Sequence, residues 1–274
     1  MTLRVALLGK PLRRRHSVVM HNAAFAAAGI DGRYELLEID EADVANAVAA
    51  AHGAEWLGLG VTAPYKKLVA TLLDEVEHEA RAIGAVNNVV RDQAGRLVGF
   101  NTDAPGFKIA AEQVMGWPLT GANVVVAGAG GVAQAVAHAC REAGVAHLTI
   151  GNRTLPATAG GIEAVALDGD EFLHAVSNAD LAVNATTVGM IDQGNTIPVD
   201  ELPDEATLFD CVYVPAETPL VAAARARGLT AANGSEMLIA QAAIAFERWT
   251  GVSGMADVMR QAVAPLLADP TASA

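Results

Sequence analysis

Positive charge is scarce in this chain: 18 lysines and arginines stand against 31 aspartates and glutamates, a formal net charge of −13. Nucleic acid and anionic membrane surfaces are therefore not expected partners, and any anion bound has to be met by locally gathered cations. Cysteine is scarcer still. Cys140 and Cys211 allow at most one disulfide, have no CxxC spacing, and read as small buried apolar residues, one in a helical pattern and one after a strand. No metal centre is expected. No apolar run reaches the roughly 18 residues of a membrane span. The opening "MTLRVALLGK" is too short in its apolar run, and wrongly flanked, for a signal peptide. These absences predict a soluble, cytoplasmic protein.

What is present is alanine, valine, leucine and glycine. Hydrophobic residues reach 52% while aromatics stay at 4%, a mix that suits helices packed closely on a parallel sheet. The 274 residues suggest two domains or one large α/β unit. Strand and helix patterns alternate from the start. "LRVALLG" is a strand and "VVMHNAAFAAAG" a helix closed by Gly29. "RYELLEID" is a strand and "EADVANAVAAAHG" a helix. "WLGLGVT" breaks at Pro64, and "YKKLVATLLDEVEHEARAIG" reads as one helix. "AVNNVVRD" and "RLVGFNTD" are short strands around a turn at Ala94 and Gly95, closing a parallel αβ series near Asp103.

A second series follows. "NVVVAGAGGVAQAVAHACREAG" is strand, glycine turn and helix; "HLTIGNRT", "IEAVALDG", "LAVNATT", "TLFDCVYVP" and "LTAANG" are strands. From Glu236 to about Leu267 the pattern is helical, and the final "DPTASA" reads as a frayed end. The expected architecture is α/β with two domains. An N-terminal αβ domain spans 1–103 plus about 236–274, its C-terminal helices packing back on it. A Rossmann-type doubly wound domain spans 104–235.

Gly128, Gly130 and Gly131 sit between an apolar strand and a helix, where a pyrophosphate can approach the amides and the positive helix end. The following strand ends in Asn152, Arg153 and Thr154 and carries no acid to hold ribose hydroxyls. An arginine pairs with a 2′-phosphate that a carboxylate would repel. NADP is the expected cofactor, with NAD possible.

In the first domain Lys66 opens a helix just after the strand ending at Thr62, and "GAVNN" and "GFNTD" supply Asn87 and Asp103 near other strand ends. Taken in order, "HN" (His21, Asn22), "VTAPYK", "GAVN", "NTD", "GAGG", "NRT", "NATTVGM", "DCVYVPAETPL" and "GSEMLIAQ" resemble the shikimate dehydrogenase family over almost the whole chain. The resemblance implies reversible oxidation of a ring hydroxyl of a cyclohexene carboxylate by NADP, in a monomer or homodimer.

It also implies site residues. Lys66 and Asp103 are the catalytic pair: the ammonium gives a proton to the developing alkoxide during reduction and the amine takes it back during oxidation. Thr62, Asn87 and Gln241 hydrogen-bond the substrate hydroxyls, and Ser17 and Tyr213 lie near its carboxylate. The cofactor lies against Gly128, Ala129, Gly130, Gly131 and Val132, against Asn152, Arg153 and Thr154, and against Asn184, Ala185, Thr186, Val212, Gly234 and Met237.

Four positions depart from the family pattern. In its Ser-x-Ser-Pro stretch, Arg15 stands for the first serine and Val18 for the proline; Gly60 stands for an asparagine, and Asn88 for a threonine. Arg15 is expected to take over carboxylate recognition; the competing reading makes Arg13, Arg14 and Arg15 a solvated loop. The departures leave open quinate, aminoshikimate or another related acid, with NAD. A non-catalytic ligand-binding protein of the same fold is the reading from another class, and the surviving Lys66 and Asp103 argue against it.

Overall fold

The structure, a computed structural model, describes residues 1–12, 15–190, 192 and 194–268. Arg13, Arg14 and the expected frayed end lie outside the described residues. The chain divides into two compact units, Met1–Thr102 with Gln241–Ala274, and Asp103–Ala240.

The first unit runs β1 (Leu3–Gly9), α1 (His16–Ala27), β2 (Gly32–Glu38), α2 (Glu41–Ala50), β3 (Trp56–Val61), α3 (Lys66–Ala70), β4 (Glu75–Val76), α4 (His78–Ile83), β5 (Asn88–Arg91) and β6 (Leu97–Phe100). Its sheet has the order β2-β1-β3-β5-β6-β4. The expected parallel sheet is in fact mixed: β5 runs antiparallel to both β3 and β6. The cause is local. Asp92 Oδ1 accepts the N–H groups of Ala94 and Arg96 at 2.9 and 2.8 Å, and Gly95 adopts φ +82, so a tight turn folds β6 directly back on β5.

The single helix expected over Tyr65–Gly84 is also corrected. It stops at Ala70 and resumes at His78. Between them Asp74 Oδ2 accepts the Leu97 N–H at 2.7 Å and β4 adds to the sheet beside β6. A side-chain acceptor and a strand edge offer this stretch partners that a helix would not.

One sheet face is covered by a core that includes Ala6, Leu8, Leu59, Val61, Val89 and Leu97. Trp56 and Tyr65 belong to that core, while a second group of aromatic residues gathers elsewhere in the unit. His21 of α1 stacks on Tyr34 at 4.4 Å between ring centroids and tilts against Trp249 at 5.2 Å, while Phe25 meets Phe246 edge-on at 5.0 Å. Trp249 belongs to α9 (Ser235–Thr250, introduced after the second unit's strands) and its Nε1 donates to the Val89 carbonyl at 2.8 Å. Arg248 pairs with Glu77, and the last helix, α10 (Ala256–Ala268), packs on α1.

Burial holds the His21 imidazole down to about 3, and its Nδ1 has no hydrogen-bond partner. The unfolded chain protonates this ring near its ordinary value while the folded chain does not, so stability is lost as pH falls below about 6.5. We expect urea unfolding to show a loss of roughly 2 kcal/mol from this residue between about pH 7 and pH 5, at 1.36 kcal/mol per pH unit. A His21→Phe variant, which keeps the stacking, should lose that slope.

The second unit opens with α5 (Asp103–Met115), then β7 (Asn123–Ala127), α6 (Gly131–Ala143), β8 (His147–Asn152), β9 (Thr158–Ala159), β10 (Ile162–Glu163), β11 (Val165–Ala166), α7 (Asp170–Val176), β12 (Leu181–Asn184), β13 (Thr207–Asp210), α8 (Pro219–Ala226) and β14 (Thr230–Asn233). Its main sheet is β11-β8-β7-β12-β13-β14, parallel throughout. The first strand is central and the chain winds outward on either side of it, the doubly wound order. The strand expected over Ile162–Gly169 is two short pieces, β10 and β11. Two helices escaped the sequence reading. In α5 Pro105 and Gly106 suggest a loop, yet a first-turn N–H has no helical partner to lose. α8 carried its signals openly: Thr218 accepts the Val221 N–H at 3.2 Å, with proline next in the chain.

Among the described residues no helix is long and apolar enough to cross a membrane, and no group of His, Cys, Asp or Glu is arranged to hold a metal.

Candidate active site

Because β5 is antiparallel, its first residue meets the C-terminal ends of β3 and β6: Asn88 pairs with Gly60, the last residue but one of β3, and with Phe100, the last of β6. Polar residues from three chain segments thus gather at one end of the first sheet. Asn87, Asn88 and Thr102 are buried there at 5%, 4% and 0% exposure. The Thr102 N–H and Asn88 Nδ2 both donate to Asn87 Oδ1 at 2.9 Å. Asn87 Nδ2 and Asn88 Nδ2 donate to Thr102 Oγ1 at 3.1 and 2.9 Å, and Thr102 Oγ1 donates to Gln241 Oε1 at 3.2 Å. Thr62 follows β3, its N–H held by the Leu8 carbonyl at 2.9 Å. Lys66, half-buried, opens α3 with its carbonyl accepting the Val86 N–H at 3.2 Å. Asp103, the buried first residue of α5, follows Thr102 directly.

The structure therefore brings Asn87 and Gln241 into one network. Asn88 and Thr102 belong to it too, although the sequence reading took one for a departure and passed over the other inside "NTD". Arg15 stands apart from that network. It caps α1 and lines a groove of about 390 Å³ with Val18, Asn22, Arg33, Tyr34, Glu35 and Leu36. Ser17 hydrogen-bonds the Tyr34 hydroxyl. That hydroxyl also explains Gly60: a Cβ there would come within 2.6 Å of it. No sequence pattern pointed to Tyr34, because its reach across β1 is a tertiary fact.

In the second unit Gly128 adopts φ +111, and a Cβ on it would lie 3.0 Å from the Ala185 carbonyl oxygen. Ala185 follows β12, so the glycine turn and the Asn184–Thr186 loop meet where the winding direction reverses. A Cβ on Gly130, the N-cap of α6, would meet nothing within 4 Å. Gly130 and Gly131 are exposed, with Ala129 and Val132 half-buried beside them. Open space over first-turn N–H groups suits a pyrophosphate. Asn152, Arg153 and Thr154 leave β8 at the same end, Asn152 Nδ2 holding the Thr154 carbonyl at 2.8 Å and Arg153 exposed.

Asn184 fixes the neighbouring loop. Its Oδ1 accepts from Thr186 N–H at 3.1 Å, Thr186 Oγ1 at 2.7 Å and Thr196 Oγ1 at 3.0 Å, and its Nδ2 donates to Asp210 Oδ1 at 2.8 Å. Asp210 is fully buried; burial pushes its carboxyl up, and hydrogen bonds from Thr218, Val212 and Asn184 oppose that rise. Gly234 donates to the Val212 carbonyl at 3.1 Å and passes so close to Cys211 that a Cβ would lie 2.3 Å from its oxygen. Met237, buried, sits one turn further on, and Tyr213 is half-buried after Val212.

Comparison with known proteins follows the same lines. Residues 7–89 match the shikimate dehydrogenase substrate binding domain and residues 234–264 the shikimate 5'-dehydrogenase C-terminal domain. The chain is 39% identical to the shikimate dehydrogenase (NADP(+)) of Symbiobacterium thermophilum, over 94% of this chain and 92% of that one. It is 37% identical to the Thermus thermophilus shikimate 5-dehydrogenase solved with NADP(H) and shikimate, with TM-score 0.86, covering 96% and 99% of the two chains. It is 33% identical to the Corynebacterium glutamicum quinate dehydrogenase solved with NAD, with TM-score 0.88, covering 97% and 99%. In fold, motif order and overall sequence, the chain belongs to the shikimate dehydrogenase family.

Proposed function

We propose that this chain is an NADP-dependent oxidoreductase that interconverts a ring hydroxyl of shikimate with the ketone of 3-dehydroshikimate. The observation that carries the reading is the buried carboxamide and hydroxyl cluster of Asn87, Asn88, Thr102 and Gln241, a polyol-reading surface with Asp103 next to Thr102 in the chain and the Lys66 carbonyl bonded to the N–H of Val86, the neighbour of Asn87. When bound, the reduced dinucleotide would supply the hydride for reduction and the oxidised one would accept it in oxidation. Lys66 Nζ donates a proton to the developing alkoxide in reduction and recovers it in oxidation, with Asp103 as its partner in the catalytic pair. Thr62, Asn87 and Gln241 hold ring hydroxyls; Ser17, Tyr213 and the Arg15 guanidinium hold the carboxylate.

On the cofactor side, Gly128 to Val132 take the pyrophosphate, Asn152 to Thr154 the 2′-phosphate end, and Asn184 to Thr186 with Val212, Gly234 and Met237 the nicotinamide end. NADP(H) in the Thermus thermophilus relative supports this assignment. Charge-assisted hydrogen bonds contribute about 1.5–3 kcal/mol. Arg153→Ala should therefore raise the KM for NADP roughly tenfold or more and leave that for NAD unchanged. Equal KM values for NADP in variant and parent would remove Arg153 from cofactor choice. The enzyme acts in the cytoplasm, as a monomer or homodimer.

A related acid such as quinate, with NAD, is the second reading. It is favoured by Gly60, where the Tyr34 hydroxyl occupies the space of a side chain, and by the absence of a phosphate-pairing side chain other than Arg153 on Asn152–Thr154. Absorbance of the reduced cofactor, followed with shikimate, quinate and aminoshikimate and with each dinucleotide, tests both. Turnover with shikimate and NADP is expected to be fastest; no turnover with any acid would end the enzymatic reading.

A further inference from the structure

In the second unit, the connection that follows β8 departs from the ordinary βα pattern. β11 lies parallel to β8, Val165 against Gly151 and Ala166 against Asn152, and a parallel pair usually needs a crossover of a dozen or more residues, most often a helix. Residues 153–164 make that crossover with the hairpin of β9 and β10. Within it only Ala159 and Gly160 are buried. A two-stranded ribbon with so little apolar surface does not hold itself in place.

It is held by α6. Gln134 Nε2 donates to the Thr158 carbonyl at 2.5 Å and Gln134 Oε1 accepts the Gly160 N–H at 2.8 Å, so one carboxamide pairs with the hairpin backbone as a neighbouring strand would. A backbone N–H can only donate and a carbonyl can only accept, which fixes the orientation of that amide. About two turns further along the same helix face, Arg141 donates to the Gly160 carbonyl. Gly160 approaches α6 so closely that a Cβ on it, at φ +58, would lie 2.7 Å from the Ala137 Cβ.

Gln134 is bonded in a second direction. Its own N–H closes the first turn of α6 on the Gly130 carbonyl at 2.9 Å. One residue thus ties the glycine turn to the hairpin. The stretch from Arg153 to Ala157 runs between two fixed points, Asn152 paired in the sheet and Thr158 held by Gln134.

We propose that Gln134 is a positioning residue for cofactor choice: by clamping the β9–β10 hairpin to the first turn of α6, it keeps the loop that carries Arg153 in a fixed relation to the glycine turn. Without the clamp the loop retains its charge but loses its far anchor, and the guanidinium has to be ordered by the ligand at each binding event. NAD has no 2′-phosphate and makes no such demand. The inference rests on the reading above, in which Arg153 takes the 2′-phosphate, and adds the residue that places it.

The test compares two dinucleotides and needs no turnover. Calorimetric Kd values for NADP and NAD are measured for the parent chain, Gln134→Met, Gly160→Ala, Arg153→Ala and the double variant Arg153→Ala with Gln134→Met. Methionine keeps the length and the helix preference of glutamine without its two hydrogen bonds. The preference for NADP should fall about three- to tenfold in Gln134→Met, with the Kd for NAD within about twofold of the parent. Gly160→Ala leaves Gln134 in place, pushes the hairpin off Ala137, and should lower the preference in the same direction. Because Gln134 acts through Arg153, its replacement should change the preference by less than about twofold once Arg153 is alanine. A purely structural role would move both cofactors and persist in that background.

An unchanged preference in Gln134→Met and Gly160→Ala, with Arg153→Ala still losing it, overturns the inference and leaves the cofactor reading standing. An equal loss on replacing Gln134 with and without Arg153 overturns it too. Arg153→Ala with the parental preference overturns the assignment of Arg153, and this inference with it. A chain that shows the whole expected pattern yet turns over no acid overturns the enzymatic reading and leaves the inference intact.

Discussion

Replacing Lys66 with alanine is expected to reduce kcat by a factor of about 10²–10⁴, the usual contribution of a positioned general acid–base group. The loss should appear in both directions, because the proposed role has the same Nζ give the proton in reduction and recover it in oxidation. NADP affinity, read by quenching of protein fluorescence, should not move, since the residues assigned to the dinucleotide belong to the other compact unit. Lys66 is only half-buried at the start of a short helix, and its removal leaves the Val86 N–H bonded to the backbone carbonyl at 3.2 Å. A folding defect would therefore be a poor explanation for lost activity, and an unchanged melting temperature would exclude it. A variant retaining more than about a tenth of the parental kcat would show that another group, or water, moves the proton.

The second large effect is expected at the glycine turn. Gly128→Ala forces a side chain into φ +111 and sets its Cβ 3.0 Å from the Ala185 carbonyl oxygen and 3.1 Å from its carbon. The backbone conformation alone costs about 1–2 kcal/mol. The contact is with backbone, so the Ala185–Thr186 loop has to shift. That loop is tied through Asn184 to Asp210 and Thr196, which leaves little slack. We expect the KM for NADP to rise at least tenfold, the melting temperature to fall by several degrees, and the KM for the acid to change little. Wild-type cofactor affinity in this variant would mean that the turn does not carry the pyrophosphate.

How much of this was readable beforehand depends on whether the determining contacts were near in sequence. The glycine turn, the strand before it and the helix after it are one continuous stretch, and α6 begins at Gly131 with the turn legible in the sequence. The doubly wound second sheet follows from repeated βα units, whose parallel strands and crossovers leave few alternatives. The break between α3 and α4 was not readable, because it depends on Asp74 finding Leu97 in a strand more than twenty positions away. The turn at Ala94 and Gly95 is legible in the sequence; that it sets an antiparallel strand inside the first sheet depends on β5 pairing with both β3 and β6. Asn88 illustrates the limit at the site. In the sequence it is a neighbour of Asn87 that breaks a family pattern; in the fold it supplies two of the hydrogens that orient Asn87 and Thr102.

By itself the sequence determined the family, the two βα series, the glycine turn, the arginine in place of an acid after the second strand, and the presence of the lysine and aspartate proposed as the catalytic pair. Most of these are written in residues a few positions apart, where backbone preference and side-chain chemistry act locally; the family shows in the order of such short motifs along the chain, and the pair joins Lys66 to Asp103 only through that order. The tertiary structure alone decided that β5 returns its first residue to the ends of β3 and β6, that Tyr34 fills the space above Gly60, and that Thr102, bonded to Asn87, reaches Gln241 139 positions further along the chain. Those are matters of register and of where buried protons find acceptors, and they exist only once the strands lie side by side.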